Sequence, residues 1–159
     1  MLITSIVFSK NRPLQLDLTL RSIEKNFADC SKVIVLHNND YTNYSIAHET
    51  LCKEHDRVVS WRQGGSLFSD VLAIALSTDD DYICFFTDDD IFYRPFKCGD
   101  YSNLNDTNIS CFSLRMGTNI TERQHDGVTG QDECKQIYSV NDDIIAWPKT
   151  WHMYGSYWS

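Results

Sequence analysis

The feature that most constrains the fold is an alternation of apolar runs with helical segments over the first ninety residues. Four short runs, rich in β-branched and aromatic residues, have the length of buried strands: residues 3–8, 32–36, 57–61 and 82–86. Because helical segments separate these runs, the order is β-α-β-α-β-α-β. This order predicts an α/β fold with a mostly parallel sheet, right-handed crossovers and helices on both faces.

The helical segments differ in the strength of their pattern. The first begins near Pro13, which suits the first turn of a helix, and its apolar stripe comprises Leu16, Leu20, Ile23 and Phe27. A weaker helix is predicted around residues 45–54. The third opens after two glycines, and its predicted apolar face comprises Leu67, Val71, Ile74 and Ala75.

Polar clusters follow all four predicted strands. In open parallel sheets, ligands bind outside the carboxyl ends of the strands, so these clusters are expected to meet at one edge. The residues that we expect to bind a ligand there are Ser9, Lys10, Asn11, Arg12, Asn38, Asn39, Asp40, Arg62, Asp88, Asp89 and Asp90.

Two aspartate triplets occur, at residues 79–81 and 88–90. A D-x-D pattern alone is weak evidence, since 17 aspartates in 159 residues make roughly two such triplets expected by chance. The second triplet gains weight because a buried strand delivers Asp88 and Asp90 to the ligand edge, where their carboxylates suit Mn²⁺ or Mg²⁺ bound with phosphate. The alternative is an exposed acidic turn, which is our interpretation of residues 79–81 at the opposite edge.

The other clusters also have structural alternatives. Residues 9–12 offer hydroxyl, amide and cationic donors at a helix start, which suits an anion, and ordinary turn and cap chemistry is the alternative. Residues 38–40 could bind a base or ribose, or form an ordinary turn. Arg62 could hold phosphate or pair with nearby acid. The five histidines show no metal-ligand spacing, and we predict surface or structural roles for them, with His152 alone kept as a candidate site residue.

Composition excludes several classes of protein. A net charge of −8 argues against nucleic acid as a partner, since phosphate backbones require a clustered basic face. No apolar stretch approaches the length of a transmembrane helix, and the first residues lack a basic leader. The six cysteines are scattered without a C-x-x-C pair, so we expect reduced thiols and a cytoplasmic protein.

Two segments resemble a known family. ITSIVFSKNRPLQL resembles the first strand and uridine-binding loop of the GT-A nucleotide-diphospho-sugar glycosyltransferases, near glycosyltransferase family 2 and the exostosin-like enzymes. DYICFFTDDDIF resembles the fourth strand and D-x-D motif of the same family. The resemblance implies a Rossmann-like GT-A fold, and it covers about residues 1–115.

The resemblance also implies roles for individual residues. Asp90, with Asp88, would bind the metal, and Asp88 or Asp89 would contact the ribose or a metal-bound water. The 9–12 and 38–40 loops would line the nucleoside pocket, with Arg62 near the diphosphate.

The C-terminal third is less regular. Short strands are predicted at residues 109–114, 137–140 and 144–147, with a turn at residues 141–143. We expect one GT-A domain over residues 1–159, with a nucleotide-sugar-binding core at 1–115 and an acceptor-side segment at 116–159. That segment is short for the family and matches no catalytic motif, so the chain could be a minimal or a truncated member. Our candidates for a catalytic base are Asp142 and Asp143.

The predicted activity is metal-dependent transfer of a sugar from a nucleotide diphosphate, most simply a UDP-sugar, to a hydroxyl of a carbohydrate or other acceptor. Two alternatives remain open. One is a non-catalytic or hydrolysis-only nucleotide-sugar-binding module. The other is a nucleotidyltransferase, although the N-terminus lacks the glycine-rich, lysine-containing phosphate loop expected there.

Overall fold

The computed structural model describes residues 2–100, together with the backbone of two short strands further along the chain. The chain divides into two compact units, Met1–Asn105 and Asp106–Trp158. The elements of the first unit are β1 (Ile3–Ser9), α1 (Pro13–Asn26), β2 (Cys30–His37), α2 (Thr42–Lys53), β3 (Val58–Arg62), α3 (Leu67–Leu76), β4 (Tyr82–Thr87) and a 3₁₀ turn at Cys98–Asp100.

All four strands of the first unit form one parallel sheet in the order β3-β2-β1-β4. The predicted α/β class and the predicted order of elements along residues 2–100 are therefore confirmed. All four strands end one residue beyond the predicted run, because the sheet also pairs polar residues at the strand ends, such as Ser9 with His37. At their starts, β2 begins two residues earlier than predicted and β3 begins one residue later.

The strand order places helices on both faces. From β1 to β3 the chain moves outward in one direction, and it then returns to the other side of β1 to form β4. Crossovers between parallel strands are right-handed, so a connection that runs back across the sheet places its helix on the opposite face. Accordingly, α1 and α2 pack on one face and α3 packs on the other.

The larger part of the core lies between α1 and the sheet. The predicted α1 stripe is buried, and Leu16, Leu20 and Ile23 have no exposed area. Because burying one such side chain is worth about 1.5–3 kcal/mol, this stripe is a principal source of stability. The α3 stripe is less complete. Ile74 is buried, whereas Leu67, predicted to face the core, is 50% exposed at the first position of the helix.

The first aspartate triplet lies at the amino edge of the sheet, opposite the 88–90 triplet, as predicted. It is more than a solvated turn. Asp80 accepts hydrogen bonds from the hydroxyls of Thr4 and Ser31, and Asp81 accepts one from the backbone N–H of Leu2. The hydroxyl bonds lower the pKa of Asp80. These carboxylates therefore join β4 to the starts of β1 and β2.

The second unit contributes a pair of antiparallel strands, β5 (Tyr138–Ser139) and β6 (Ile145–Ala146). They lie within the strands predicted at 137–140 and 144–147. The strand predicted at 109–114, the candidate bases Asp142 and Asp143 and the candidate site residue His152 lie outside the described residues.

Candidate functional site

The carboxyl ends of the four strands lie at one edge of the sheet, and their polar residues are in register. Ser9 pairs with His37, which pairs with Arg62, while Asp88 donates its backbone N–H to the carbonyl oxygen of Phe8 at 3.1 Å. The strand order reverses between β1 and β4, and such a switch point is where α/β sheets bind ligands. The loops after these two strands are residues 10–12 and 88–90.

The first loop is joined to the loop after β2 by reciprocal hydrogen bonds. Asn11 donates from Nδ2 to Asp40 at 2.6 Å and accepts from the Asp40 N–H at 2.9 Å, while its own N–H donates to Asn39 at 2.8 Å. Asn11 has a φ of 58°, a left-handed conformation that asparagine tolerates better than most residues. Lys10 pairs with Asp40 at 3.0 Å. The 9–12 and 38–40 clusters therefore form one connected surface.

The charge on Asp40 follows from these contacts. The bonds from Lys10 and Asn11 lower the pKa of its carboxyl group below the usual range. Asp40 is exposed, as is Asn38, whose backbone N–H donates to the carbonyl oxygen of Ser9 at 3.2 Å. An ionised carboxylate and an amide thus remain at the surface beside β1, which is the chemistry needed to accept and donate hydrogen bonds to a base or ribose.

Asp88 differs from its neighbours because it is only 3% exposed. Its Oδ2 accepts a hydrogen bond from the Ser9 hydroxyl at 2.8 Å, and its Oδ1 lies 2.9 Å from the Arg12 guanidinium. The same guanidinium is 3.6 Å from Asp89. Arg12 itself is half exposed, so it provides a cation between the buried carboxylate and the surface. The structure thus brings together Ser9, Arg12 and the second triplet, as the sequence predicted.

The backbone of this loop is held by α1, which the sequence analysis missed. Thr19 donates its hydroxyl to the Asp88 carbonyl oxygen at 2.7 Å, Ser22 accepts from the Phe92 N–H, and Asn26 donates to the Phe92 carbonyl oxygen. These three side chains recur at spacings of three and four, so they share one face of the helix. That polar spacing beside the apolar stripe is the signal that could have identified them.

The Thr87 hydroxyl oxygen lies 2.6 Å from Oδ1 of Asp89 and 2.9 Å from Oδ2 of Asp90, so the two carboxylates share its single hydrogen and lie on the same side of the turn. Asp90 also accepts from the Thr87 N–H at 2.7 Å, which orders the turn. Within residues 2–100, no three histidine, cysteine or acidic side chains form a metal-binding group. The chemistry of the turn nevertheless fits a hard divalent cation, because Mg²⁺ is commonly held by one or two carboxylates plus substrate phosphates.

In the loop after β3, a carboxylate of the protein itself binds the backbone N–H groups. The N–H groups of Gly64 and Gly65 both donate to Asp70, each at 3.2 Å, and Ser66 caps the start of α3. Asp70 therefore takes the place that a phosphate would need at these two N–H groups. Arg62 is exposed at the end of β3, and its role near a diphosphate remains a prediction.

Two histidines lie beneath the site with no exposed area, His37 at the end of β2 and His48 in α2. Their rings stack with centroids 5.2 Å apart. Burial, together with the charge of His48, lowers the pKa of His37. Their burial agrees with the predicted structural roles, but the sequence did not predict that they lie directly beneath the site. The inward spacing of Ser45, His48 and Cys52 along α2, polar residues on a buried helix face, could have revealed it.

The chain matches no protein-family model, and no curated protein matches it. Within the part of the chain that the structure describes, none of the helices is both long and apolar enough to cross a membrane.

Proposed function

We propose that this chain binds a nucleotide-diphosphate sugar, most simply a UDP-sugar, and transfers the sugar to a hydroxyl acceptor in a metal-dependent reaction. The observation that supports the proposal most directly is the union of the 9–12 loop with the second aspartate triplet at the β1–β4 switch point. Ser9 and Arg12 from one loop contact Asp88 from the other. These are the two segments that resemble the uridine-binding loop and D-x-D motif of GT-A enzymes.

In this proposal each cluster binds a different part of the donor. The nucleoside contacts the surface formed by Asn11, Asn38 and Asp40, where exposed amide and carboxylate groups can pair with a base or ribose. Lys10 and Arg12 provide positive charge for the diphosphate. Positive charge near the leaving phosphate stabilises the negative charge that develops when the sugar bond breaks.

Mn²⁺ or Mg²⁺ is the proposed cofactor. Asp88 and Asp90 were the predicted ligands. Because Asp88 is buried and bonded to Ser9 and Arg12, the proposal assigns the cation to Asp89 and Asp90, with Asp88 behind them. When bound, the metal would supply a Lewis acid that offsets the diphosphate charge. Asp142 or Asp143 is the proposed base that deprotonates the acceptor hydroxyl.

A second candidate is a binding module without transfer activity. It is favoured by the internal pairing of groups that a donor would otherwise engage: Arg12 with Asp88, and the two glycine N–H groups with Asp70. A binding module needs only the exposed nucleoside surface, whereas a transferase must also release Arg12 or Asp88 for the reacting groups.

Calorimetric titration with UDP, in Mn²⁺ and separately in EDTA, tests the nucleotide–metal site. Affinity near the micromolar range, about −8 kcal/mol, is expected with Mn²⁺. Asp90→Asn should weaken this affinity at least tenfold in Mn²⁺, equivalent to about 1.4 kcal/mol, and only slightly in EDTA. Asp79→Asn is the matched control, because it removes the same charge from an exposed aspartate at the opposite edge of the sheet. Equal losses with and without metal would contradict a metal role for Asp90.

Turnover separates the candidate functions. A panel of nucleotide sugars is incubated with metal, with and without hydroxyl acceptors, and the products are measured. Acceptor-dependent transfer supports the proposed enzyme, and binding without turnover supports the module. Release or incorporation of pyrophosphate would indicate a nucleotidyltransferase, and a protein that binds no nucleotide would refute all three.

A further inference from the structure

The side chain of Arg12 lies between two aspartates of the second triplet. Its Nη1 atom is 2.9 Å from Oδ1 of Asp88 and 3.6 Å from Oδ2 of Asp89. Asp88 is buried, whereas the side chains of Arg12 and Asp89 are 49% and 56% exposed. The guanidinium therefore offsets part of the negative charge of the turn from a position that solvent can reach.

A divalent cation at the turn would need one of the same carboxylates. Asp89 turns a different oxygen to each neighbour: Oδ1 lies 2.6 Å from the Thr87 hydroxyl oxygen, and Oδ2 faces the Arg12 guanidinium. Mg²⁺ binds carboxylate oxygens at about 2.1 Å, so an ion on Oδ2 would come close to the guanidinium. Two positive charges at such a separation repel each other. The guanidinium and a metal ion therefore compete for Asp89.

The backbone on both sides of this ion pair is held by other bonds. The carbonyl oxygen of Arg12 accepts a backbone N–H at 3.1 Å in the first turn of α1. Asp88 accepts a hydrogen bond from the Ser9 hydroxyl, and its carbonyl oxygen accepts one from Thr19. These bonds do not involve the guanidinium. Rotation of one half-exposed side chain is therefore sufficient to move the guanidinium away from Asp89, with no change in the fold.

We propose that Arg12 makes metal binding depend on the nucleotide: without a diphosphate its guanidinium holds Asp88 and Asp89 and opposes the cation, and a bound diphosphate draws it away. This role for Arg12 rests on the proposed function, in which its charge serves the diphosphate. A diphosphate is the stronger partner, because it carries more negative charge than one carboxylate and accepts paired hydrogen bonds from the planar guanidinium. Once the guanidinium has turned, the metal meets Asp89 and Asp90 without that competing cation.

The nucleotide and the metal then strengthen each other's binding. By linkage, the factor by which UDP raises the affinity for Mn²⁺ equals the factor by which Mn²⁺ raises the affinity for UDP. Part of this factor comes from direct contact between metal and phosphate, and part comes from moving Arg12. Only the Arg12 part also weakens metal binding when no nucleotide is present. Metal affinity measured without nucleotide therefore isolates the contribution of Arg12.

Titration with Mn²⁺ in the absence of nucleotide, with free Mn²⁺ counted by electron paramagnetic resonance, tests the competition. Arg12→Gln removes the charge and keeps a polar amide, so affinity for Mn²⁺ should rise about fivefold. Adding Asp90→Asn to this variant should abolish the gain, which assigns it to the turn. Arg21→Gln is the matched control and should leave the affinity unchanged, because its guanidinium bonds to Asp17 on the exposed surface of α1. Unchanged or lower Mn²⁺ affinity in Arg12→Gln would overturn the competition.

The same variant should change nucleotide binding in the opposite direction. In EDTA, Arg12→Gln should weaken UDP binding about tenfold, because a charged hydrogen bond to the diphosphate is lost. General loosening of the site would instead lower both affinities. If the wild type binds UDP with Mn²⁺ but Arg12→Gln leaves Mn²⁺ affinity unchanged, the proposed function stands and this role for Arg12 is wrong. If Arg12→Gln binds Mn²⁺ more tightly but the wild type binds no UDP, the proposed function is wrong, and so is the diphosphate as the group that moves Arg12.

A measurement on the wild-type protein does not depend on the folding of a variant. Mg²⁺ is added without nucleotide to ¹⁵N-labelled protein, and the Arg12 Nε–H signal is followed beside the backbone N–H signal of Asp90. Both signals should shift with the same midpoint, and at lower Mg²⁺ concentration once UDP is present. A shift at Asp90 with no change at Arg12 would overturn the competition, because metal and guanidinium would then bind together. No shift at Asp90, even with UDP, would overturn the metal site itself.

Discussion

Asn11 offers a direct test of how the 9–12 loop is held, because its side chain and its backbone conformation make separate contributions. Its amide exchanges two hydrogen bonds with Asp40, and its φ of 58° is left-handed. At most positions, replacing a residue by glycine destabilises the protein more than replacing it by alanine, because glycine has greater freedom in the unfolded chain. At a position with a left-handed backbone, alanine should instead destabilise the protein more than glycine does.

The magnitudes follow from the contacts. Both substitutions remove the two bonds to Asp40, which at this exposed position are worth about 0.5 kcal/mol each, at the low end of the usual range. Asn11→Ala must also hold a side chain in the left-handed region, at an additional cost of about 1.5 kcal/mol. Asn11→Gly avoids that cost, but the greater freedom of glycine in the unfolded chain costs about 0.5 kcal/mol. We therefore expect a destabilisation of about 2.5 kcal/mol for Asn11→Ala and about 1.5 kcal/mol for Asn11→Gly.

Urea denaturation followed by circular dichroism measures both free energies of unfolding. The midpoint should fall in the order wild type, Asn11→Gly, Asn11→Ala, with little change in slope. The reasoning is refuted if Asn11→Ala equals or exceeds Asn11→Gly in stability, since the left-handed backbone would then carry no cost. Combining Asn11→Ala with Asp40→Ala should give less than the sum of the two single effects, because the bonds are lost only once.

Three further predictions follow from the described contacts. Thr19→Val should lower the free energy of unfolding by about 1–2 kcal/mol, because the Asp88 carbonyl loses its donor, whereas Thr19→Ser should restore most of it in the same urea assay. Burial lowers the pKa of His37 from its ordinary value of 6.5. As the pH falls below about 6.5, this histidine is protonated in the unfolded chain before it is protonated in the folded protein, so the free energy of unfolding should decrease. His37→Gln should reduce this pH dependence in denaturation series between pH 7.5 and 5, and an unchanged slope would contradict it. Burial raises the pKa of Cys84 to about 12, so this thiol should resist alkylation in the native protein and react on unfolding, as peptide mapping by mass spectrometry would show.

The sequence alone determined the architecture of residues 2–100. The apolar runs that became β1, β2 and β4 and the stripe that became α1 are long and regular, so local periodicity was sufficient to identify them. The same reasoning located the polar clusters at one edge, because the carboxyl ends of parallel strands must lie together. It also identified the second aspartate triplet as the main candidate for a metal–phosphate site.

Only the tertiary structure decided how those clusters are connected. Hydrogen bonds between residues far apart in the chain, such as Ser9 with Asp88 and His48 with Ser9, leave no periodic signal in the sequence. The strand order decided which loops meet: β4 lies beside β1 and not beside β3, so the 88–90 turn contacts the 9–12 loop. The local sequence pattern indicates which face of a helix or strand is buried. The hydrogen-bond partner of a buried polar group depends instead on which distant segment packs against it.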